Sequence, residues 1–223
     1  MSRAMPNQWV TPGLSAHERR RRVWHMTPGL LPFVLWPIPH RDPISPTLYT
    51  ILVVIVAILA GSIFARYRRI ERDGEHDQRF WAVAGYAGSV LLTFLLFPGH
   101  AELGMTVLAI LAFGDGSATL GSKLIGGPRL PWNSEKSIAG TLCFLLVGIP
   151  MSAIIYWGEA NNLEALPQSV PVTLSVAFLI GGAATATSAL AESISSRIND
   201  NVRVGVTAAF TLAVVQGLIV GWS

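Results

Sequence analysis

Apolar residues are concentrated in long stretches that short polar segments separate. The clearest stretch, 46–65, has 20 positions without a charge, which is enough for a helix to cross a hydrocarbon core of about 30 Å at about 1.5 Å per residue. Four further windows share this pattern, and two shorter ones complete the set. We therefore predict an all-α polytopic membrane protein with about seven transmembrane helices, at 26–39, 46–65, 80–99, 103–114, 137–158, 165–191 and 204–223.

The basic residues provide a test of this span count, because Lys and Arg collect on the cytoplasmic loops of membrane proteins. The four segments 1–25, 66–79, 115–136 and 192–203 hold 15 of the 16 Lys and Arg residues, and only Arg41 falls on the other side. This alternation predicts a cytoplasmic N-terminus. We expect a basic cytoplasmic segment over 1–24, followed by a single integral-membrane catalytic domain over 25–223.

The composition agrees with a membrane location and indicates which binding partners to expect. Of all residues, 51% are hydrophobic and 13% are charged, and the formal net charge is +3. Basic residues next to a membrane are attracted to anionic headgroups, so membrane lipids account for the positive balance and no nucleic acid is expected. A single Cys excludes a disulfide framework. A short chain without a transit peptide favours a bacterial inner membrane, with the active site on its cytoplasmic face.

Polar residues that could bind a ligand or take part in catalysis are concentrated in three segments, 22–29, 115–137 and 192–201. All three are predicted on the cytoplasmic face of the membrane. The predicted spans carry no charge at their centres, which disfavours an ion or proton transporter. In the second segment, glycines alternate with basic residues after Asp115. Such a backbone can approach phosphate oxygens closely, Lys123, Arg129 and Lys136 can neutralise a polyphosphate, and Ser134 or Ser137 can cap the next helix. A flexible basic loop is the alternative.

The third segment places Glu192 eight residues before Asp200. If the helix continues, both carboxylates lie on nearly the same face, and two carboxylates opposite a phosphate loop favour magnesium. The alternative is a solvated helix end at which Asp200 pairs with Arg197 or Arg203. In the first segment, His25 follows Arg22 by three residues, and it is either an acid or base near neutral pH or a hydrogen-bonded surface residue.

Together the three segments resemble the membrane-embedded polyprenol kinases, which comprise dolichol kinase, phytol kinase and CTP-dependent diacylglycerol kinase. The resemblance covers most of the chain, in the same order as in the family. Its matching residues are Arg21, Arg22, His25 and Gly29, then Gly114, Asp115, Gly116, Ser117, Ala118, Gly121, Gly126, Pro131, Asn133, Lys136, Ser137 and Gly140, and finally Glu192, Asp200 and Asn201. Asn199 and Arg203 depart from the family pattern.

The resemblance implies a kinase that transfers the γ-phosphate of CTP to the hydroxyl of a lipid alcohol, with Mg2+ as cofactor. It implies Asp115, Lys136, Glu192 and Asp200 as catalytic residues, of which Asp115, Glu192 and Asp200 hold the metal. The residues expected to bind nucleotide or phosphate are Arg22, His25, Gly116, Ser117, Gly121, Lys123, Gly126, Asn133, Ser137 and Asn201. The alcohol is a polyprenol, phytol or diacylglycerol, and the sequence does not distinguish among them.

A second enzyme class shares part of this pattern. The central block is also similar to that of phosphatidate cytidylyltransferase, which makes CDP-diacylglycerol, but the C-terminal block of that enzyme is absent here. Two classes without nucleotide chemistry stay open, namely a lipid scramblase or carrier and a membrane assembly factor. The oligomeric state is not indicated by the sequence.

Overall fold

A computed structural model describes residues 9–10, 12–13, 15–36, 43–73, 78–162 and 172–222, and Arg3, His40, Arg41 and His76 lie outside this part. The described residues are mostly helical. In chain order the elements are β1 (Trp9–Val10), α1 (Ala16–Met26), a 3-10 helix (Thr27–Leu30), α2 (Leu31–Leu35), α3 (Pro46–Asp73), α4 (Gln78–Leu96), α5 (Ala101–Ala109), a π-helical segment (Ile110–Asp115), α6 (Gly116–Leu124), β2 (Gly127–Leu130), β3 (Asn133–Ser137), α7 (Ile138–Ala160), α8 (Leu174–Ser193) and α9 (Asp200–Ile219).

The last three helices begin at polar caps that the sequence supplies. The Ser137 hydroxyl accepts the Gly140 amide at 3.0 Å at the start of α7, which confirms one of the two predicted caps. Thr173 accepts the Val176 amide at 3.2 Å before α8, and Asn199 accepts the Asn201 amide at 3.0 Å before α9. Each cap satisfies a backbone donor that the first helical turn leaves without an intrahelical partner.

Four helices of the described part are long and apolar enough to cross a membrane: Ala101–Leu124, Ile138–Ala160, Leu174–Ser193 and Asp200–Ile219. The prediction of a helical membrane protein is thus supported, whereas seven spans and the N-terminal orientation are not confirmed. In the part of the window 26–39 that the structure describes, which ends at residue 36, the 3-10 helix and α2 occupy 27–35. Those two elements comprise 4 and 5 residues, which is shorter than a membrane-spanning helix requires.

The helix Ala101–Leu124 is the centre of the bundle. It comprises α5, the π-helical segment and α6, and it packs against α4, α7 and α9. In its most apolar stretch 89% of the residues are buried, against 33% in α7, 39% in α8 and 28% in α9. The predicted span 103–114 therefore extends by ten residues at its C-terminal end, and the expectation of a loop from 115 is wrong, because 116–124 is helical. Asp115 lies inside this buried helix.

Glycines allow α7 and α8 to approach closely. A Cβ built on Gly181 would lie 2.9 Å from both the Ala153 backbone nitrogen and the Ser152 hydroxyl oxygen, whereas one on Gly182 would meet only Ile149 at 3.6 Å. Ser152 and Thr185 share a hydrogen bond of 2.9 Å across the same contact. Small residues of this kind bring membrane helices together where lipid supplies no hydrophobic driving force.

Gly181→Ala is expected to lower the free energy of unfolding by about 1–3 kcal/mol, because the new methyl group overlaps the backbone of the facing helix. Gly182→Ala on the same helix is the matched control, and it should be neutral or slightly stabilising, since alanine is the better helix former. Thermal unfolding in detergent, followed by tryptophan fluorescence, measures both. Equal melting temperatures for the two variants would contradict the close approach of α7 and α8.

A buried polar network lies near the start of α5 and the ends of α7 and α9. The Gln216 side-chain nitrogen donates to Glu102 Oε1 at 2.9 Å, and the Tyr156 hydroxyl donates to Gln216 Oε1 at 2.9 Å. His100 Nδ1 lies 2.9 Å from Glu102 Oε1. His100 and Glu102 are 7% and 2% exposed, so both side chains are buried. The network connects three helices at the end opposite to Asp200 and Ser137.

A small antiparallel sheet covers the Ser137 end of the bundle. β2 pairs with β3 across an irregularity at Arg129 and Leu130, and β1 pairs with β2 through Trp9 opposite Pro128 and Val10 opposite Gly127. Gly126 has a φ of +68° and a virtual Cβ that would lie 2.5 Å from the Val10 carbonyl oxygen. Glycine is thus required at this turn. The sheet holds Lys136 directly before α7.

Candidate functional site

The π-helical segment presents Asp115 to the first polar segment of the chain. His25 Nε2 lies 3.2 Å from Asp115 Oδ2 and 3.2 Å from the Leu111 carbonyl oxygen. The edge of the His25 ring contacts Tyr86 at a centroid distance of 5.0 Å. Gly29 makes this approach possible, because a Cβ there would overlap Ala112 at 2.5 Å. Segments of π-helix are frequent at functional sites, and here one positions a buried carboxylate.

Lys136 connects the second and third polar segments. Its Nζ lies 2.5 Å from Glu192 Oε1 and 2.6 Å from Asp200 Oδ2. The side chain of Glu192 is 4% exposed and that of Lys136 is 21% exposed. A buried carboxylate without a partner is costly, so the ammonium group stabilises Glu192 at the end of α8.

The His25–Asp115 pair and the contacts of Lys136 with Glu192 and Asp200 form one electrostatic cluster. Asp115 lies next to His25 and within electrostatic range of Lys136 and Arg22, and Glu192 lies within electrostatic range of Asp115 and Asp200. Salt and water screen such charge interactions only weakly where the charged groups are partly buried. The three polar segments of the sequence therefore meet at one end of the bundle.

The charge state of Lys136 follows from its neighbours. Burial lowers the pKa of its ammonium group, but Glu192 and Asp200 outweigh burial and raise it above the ordinary value. A raised pKa means that the ion-pair stabilisation is complete below the unfolded-state value of about 10.4 and is lost only as pH rises through the higher folded-state pKa. Lys136 is thus a fixed positive charge at neutral pH and cannot act as a base there.

The α8–α9 connection brings the two carboxylates together by a route that the sequence did not predict. The helix does not continue from Glu192 to Asp200, because α8 ends at Ser193 and Ile194 is extended. Asp200 instead opens α9, where a carboxylate interacts favourably with the helix dipole. The shared-face argument was wrong, although both side chains reach Lys136.

Arg203 and Asn133 fix this connection. Arg203 pairs with Asp200 Oδ1, the local pairing that the sequence offered as an alternative, and its Nη1 donates to the Ala191 carbonyl at 3.0 Å. The Asn133 side-chain nitrogen donates to the Ser193 carbonyl oxygen at 3.0 Å, and its Oδ1 accepts the Glu135 amide at 3.0 Å. The β2–β3 turn is thereby attached to the end of α8.

The central glycines serve helix packing rather than an open phosphate loop. A Cβ on Gly116 would overlap Met26 at 2.5 Å, and one on Gly121 would overlap Cys143 at 2.3 Å. The Gly116 amide donates to Phe113, and the Gly126 amide donates to Ser122 at 3.2 Å. These amides have partners within the chain, so the expectation that they face phosphate oxygens is not supported.

The remaining predicted residues include Ser117 and Lys123 on α6, Ser137 at the start of α7 and Asn201 in α9. Ser117 is buried on α6 and donates to the carbonyl oxygens of Gly114 and Cys143 at 2.9 Å. Ser137 is buried as the cap of α7, and Asn201 is buried in the first turn of α9. Lys123 is half-buried on the last turn of α6. The described ion pairs include neither Lys123 nor Arg129.

A resident magnesium ion held by Asp115, Glu192 and Asp200 does not fit this arrangement. Within the described ranges, no group of three or more His, Cys, Asp or Glu side chains is placed to hold a metal ion. Asp115 Oδ2 faces His25, while Glu192 Oε1 and Asp200 Oδ2 face Lys136. The role of Mg2+ stays a prediction from the resemblance.

Two contacting residues were missed at the sequence level. Tyr86 packs on His25, and Trp132 donates from Nε1 to the Ser193 hydroxyl at 3.2 Å. Tyr86 lies 61 residues from His25 in an apolar helix, so no local pattern indicates it. Trp132 stands at the β2–β3 turn, and the sequence pattern does not indicate its contact with Ser193.

The helical bundle and its buried ionic cluster are compatible with a helical membrane protein that has a polar site at one end. Comparison with curated proteins identifies its relatives as polyprenol-type kinases and confirms the family resemblance. A probable phytol kinase 2 of Oryza sativa subsp. japonica is 24% identical over 87% of this chain, a phytol kinase 1 of Arabidopsis thaliana is 24% identical over 82%, and a farnesol kinase of Arabidopsis thaliana is 26% identical over 88%.

The chain spans less than two thirds of the length of these relatives, at 65%, 62% and 65%. All three relatives are named as chloroplastic, which does not fit the expected bacterial inner membrane. No protein-family profile and no solved structure matches the chain.

Proposed function

We propose that this protein is a lipid-alcohol kinase that transfers the γ-phosphate of CTP to the hydroxyl of an isoprenoid alcohol. One observation carries the proposal: His25, Asp115, Lys136, Glu192 and Asp200, from three distant segments, meet in one ionic cluster. The cluster lies at the end of apolar helices, where a lipid tail can stay in the bilayer while its hydroxyl meets a soluble nucleotide.

The names of the relatives support the substrate class. Phytol and farnesol kinases act, by name, on isoprenoid alcohols, and we infer the same class for this chain. The kinase names also favour phosphoryl transfer over the cytidylyltransferase alternative. CTP as donor rests on the family resemblance alone.

The proposed reaction needs positioning and charge neutralisation above all. The lipid hydroxyl oxygen forms a bond to the γ-phosphorus while the bond from that phosphorus to the β-γ bridging oxygen breaks, and CDP leaves. Asp115 orients the hydroxyl and accepts its proton at Oδ1, with His25 holding the other carboxylate oxygen. Lys136 neutralises charge on the phosphates, and Arg22 adds positive charge near Asp115.

Magnesium enters this proposal as part of the nucleotide substrate. Mg2+ is usually bound through one or two carboxylates together with substrate phosphates, and it keeps several waters. When bound with CTP, the ion supplies charge neutralisation at the β- and γ-phosphates. The contacts of Gly116, Ser117, Gly121, Gly126, Asn133, Ser137 and Asn201 indicate support of the surrounding backbone.

A labelled-phosphate assay tests the proposed function. Purified protein in detergent receives Mg2+, γ-labelled CTP or ATP, and phytol, farnesol, a long polyprenol, diacylglycerol or phosphatidate. We expect label in an isoprenoid alcohol with CTP. Labelled liponucleotide from phosphatidate and α-labelled CTP would establish the cytidylyltransferase instead, and no transfer to any lipid would reject an enzyme of either class.

The membrane and its sidedness follow from the substrates. We propose that the site faces the compartment that supplies the nucleotide, which agrees with the basic residues Arg22, Lys136 and Arg203 at the same end of the bundle. Protease protection of a C-terminal tag in oriented vesicles tests this orientation. The names of the chloroplastic relatives favour a plastid-type membrane over the bacterial one expected from the sequence.

A further inference from the structure

One ammonium group lies between two carboxylates in the described structure. Lys136 Nζ contacts Glu192 Oε1 at 2.5 Å and Asp200 Oδ2 at 2.6 Å. The second oxygen of Asp200, Oδ1, pairs with Arg203. Both oxygens of Asp200 therefore face a cation that belongs to the chain itself.

We propose that Lys136 is the resident cation of Glu192 and Asp200, and that these two carboxylates position Lys136 instead of binding magnesium. The role of Lys136 toward phosphate rests on the proposed function. The positioning role itself rests only on the contacts among these residues.

The charge balance of the cluster supports this assignment. Glu192 and Asp200 carry two negative charges, and Lys136 and Arg203 carry two positive ones. A divalent ion at the two carboxylates would have to displace Lys136, because its Nζ already lies at hydrogen-bond distance from an oxygen of each. Displacement would leave Lys136 near another cation in a partly buried place, which is unfavourable.

The hydrogen-bond capacity of lysine explains how Lys136 can still bind phosphate while two carboxylates fix its position. An ammonium group has three N–H donors, and two of them are engaged by the carboxylates. The third donor can meet one phosphate oxygen. The carboxylates thus act as a fork that fixes the direction of this donor.

The elements around Lys136 make the fork rigid. Lys136 directly precedes Ser137, whose hydroxyl caps α7. Arg203 binds Asp200 and the carbonyl oxygens of Ala191 and Ile194, so the end of α8 and the start of α9 hold a fixed relation. Reaction rates respond strongly to small displacements of such a group, by up to about 100-fold for roughly 1 Å.

Binding of Mn2+ to the nucleotide-free protein tests the proposal directly. Manganese replaces Mg2+ at oxygen sites and is counted by electron paramagnetic resonance. We expect the parent protein and the variants Glu192→Gln and Asp200→Asn to bind no stoichiometric Mn2+ at micromolar concentrations. One Mn2+ per chain in the parent, lost in Glu192→Gln, would overturn the proposal, because it would make Glu192 a metal ligand.

The metal requirement of the reaction provides the second measurement. Glu192→Gln should lower kcat by about 10- to 100-fold, with the Mg2+ concentration for half-maximal rate unchanged within twofold at saturating CTP. A metal ligand would instead raise that concentration at least tenfold, which would also overturn the proposal. Arg197→Gln, an exposed cation in the same connection, is the control and should change neither value.

The two measurements separate this proposal from the proposed function. Absence of transfer to every lipid alcohol would reject the kinase but would leave the Mn2+ result valid as a test of the lysine fork. Melting temperatures of the variants, measured beforehand, show which proteins are folded. If Glu192→Gln does not fold, the kinetic measurement uses Asp200→Asn instead, because the Asp200 side chain is 40% exposed.

Discussion

Lys136→Ala is expected to reduce kcat by about 10²–10³-fold, which is the usual cost of removing one preorganised charge-stabilising group. The substitution removes the ammonium group of Lys136, whose Nζ contacts both Glu192 and Asp200. Radiolabel transfer from CTP to the accepted alcohol, with kcat and KM determined separately, measures the effect. The substitution should lower kcat more than it raises KM, because the phosphate charge that Lys136 neutralises grows in the transition state.

Two comparisons keep this result interpretable. Loss of one partner of a buried ion pair costs about 3–5 kcal/mol of stability, so unfolding must be followed for every variant. Lys136→Arg retains the charge but not the compact geometry of an ammonium group, and it should recover part of the stability and little of the rate. Full activity of a folded Lys136→Ala protein would remove Lys136 from the proposed mechanism.

Asp115→Asn is expected to lower kcat by about 10²–10⁴-fold, the range for loss of a group that accepts a proton in the transition state. The amide is nearly the same size, so the packing of the π-helical segment is retained. The negative charge that faces His25 and experiences Lys136 and Arg22 is lost. Single-turnover transfer, with the enzyme in excess of labelled CTP, isolates this step from product release.

Glu102→Gln is the matched control for Asp115→Asn. Both carboxylates are buried in the helix Ala101–Leu124, but Glu102 lies at its first turn in the network with His100 and Gln216. Its conversion to an amide should change kcat by less than threefold while lowering the melting temperature. If the two amides reduced kcat equally, the loss would reflect general perturbation of the helix, and the assignment of Asp115 would fail.

Helix positions were predictable where the chain is uniformly apolar. The predicted spans 137–158 and 204–223 agree closely with α7 and α9, because long apolar stretches and polar caps are local properties of the sequence. The failure at 115–124 has a physical cause: glycine and serine are typical of loops in water, yet in a buried bundle they allow close helix contacts. Gly116 and Gly121 illustrate this second use.

The members of the ionic cluster could be proposed from the sequence, but their partners could not. Asp115, Lys136, Glu192 and Asp200 were chosen from two separate segments, and 56 residues separate Lys136 from Glu192. A linear pattern does not encode which cation meets which carboxylate over such a separation. The network of Glu102 and Gln216 spans 114 residues and was missed for the same reason.

The burial of the helix Ala101–Leu124 has a consequence for biogenesis. An Asp near the middle of an isolated membrane helix costs about 2.5–3.5 kcal/mol to insert, and this helix carries Asp115 as well as Glu102. Two of the helices that pack against it, α7 and α9, are synthesised later. The central helix therefore enters the bilayer before the segments that supply Lys136 and Gln216, and the assembly of its polar partners is completed only when the last helix arrives.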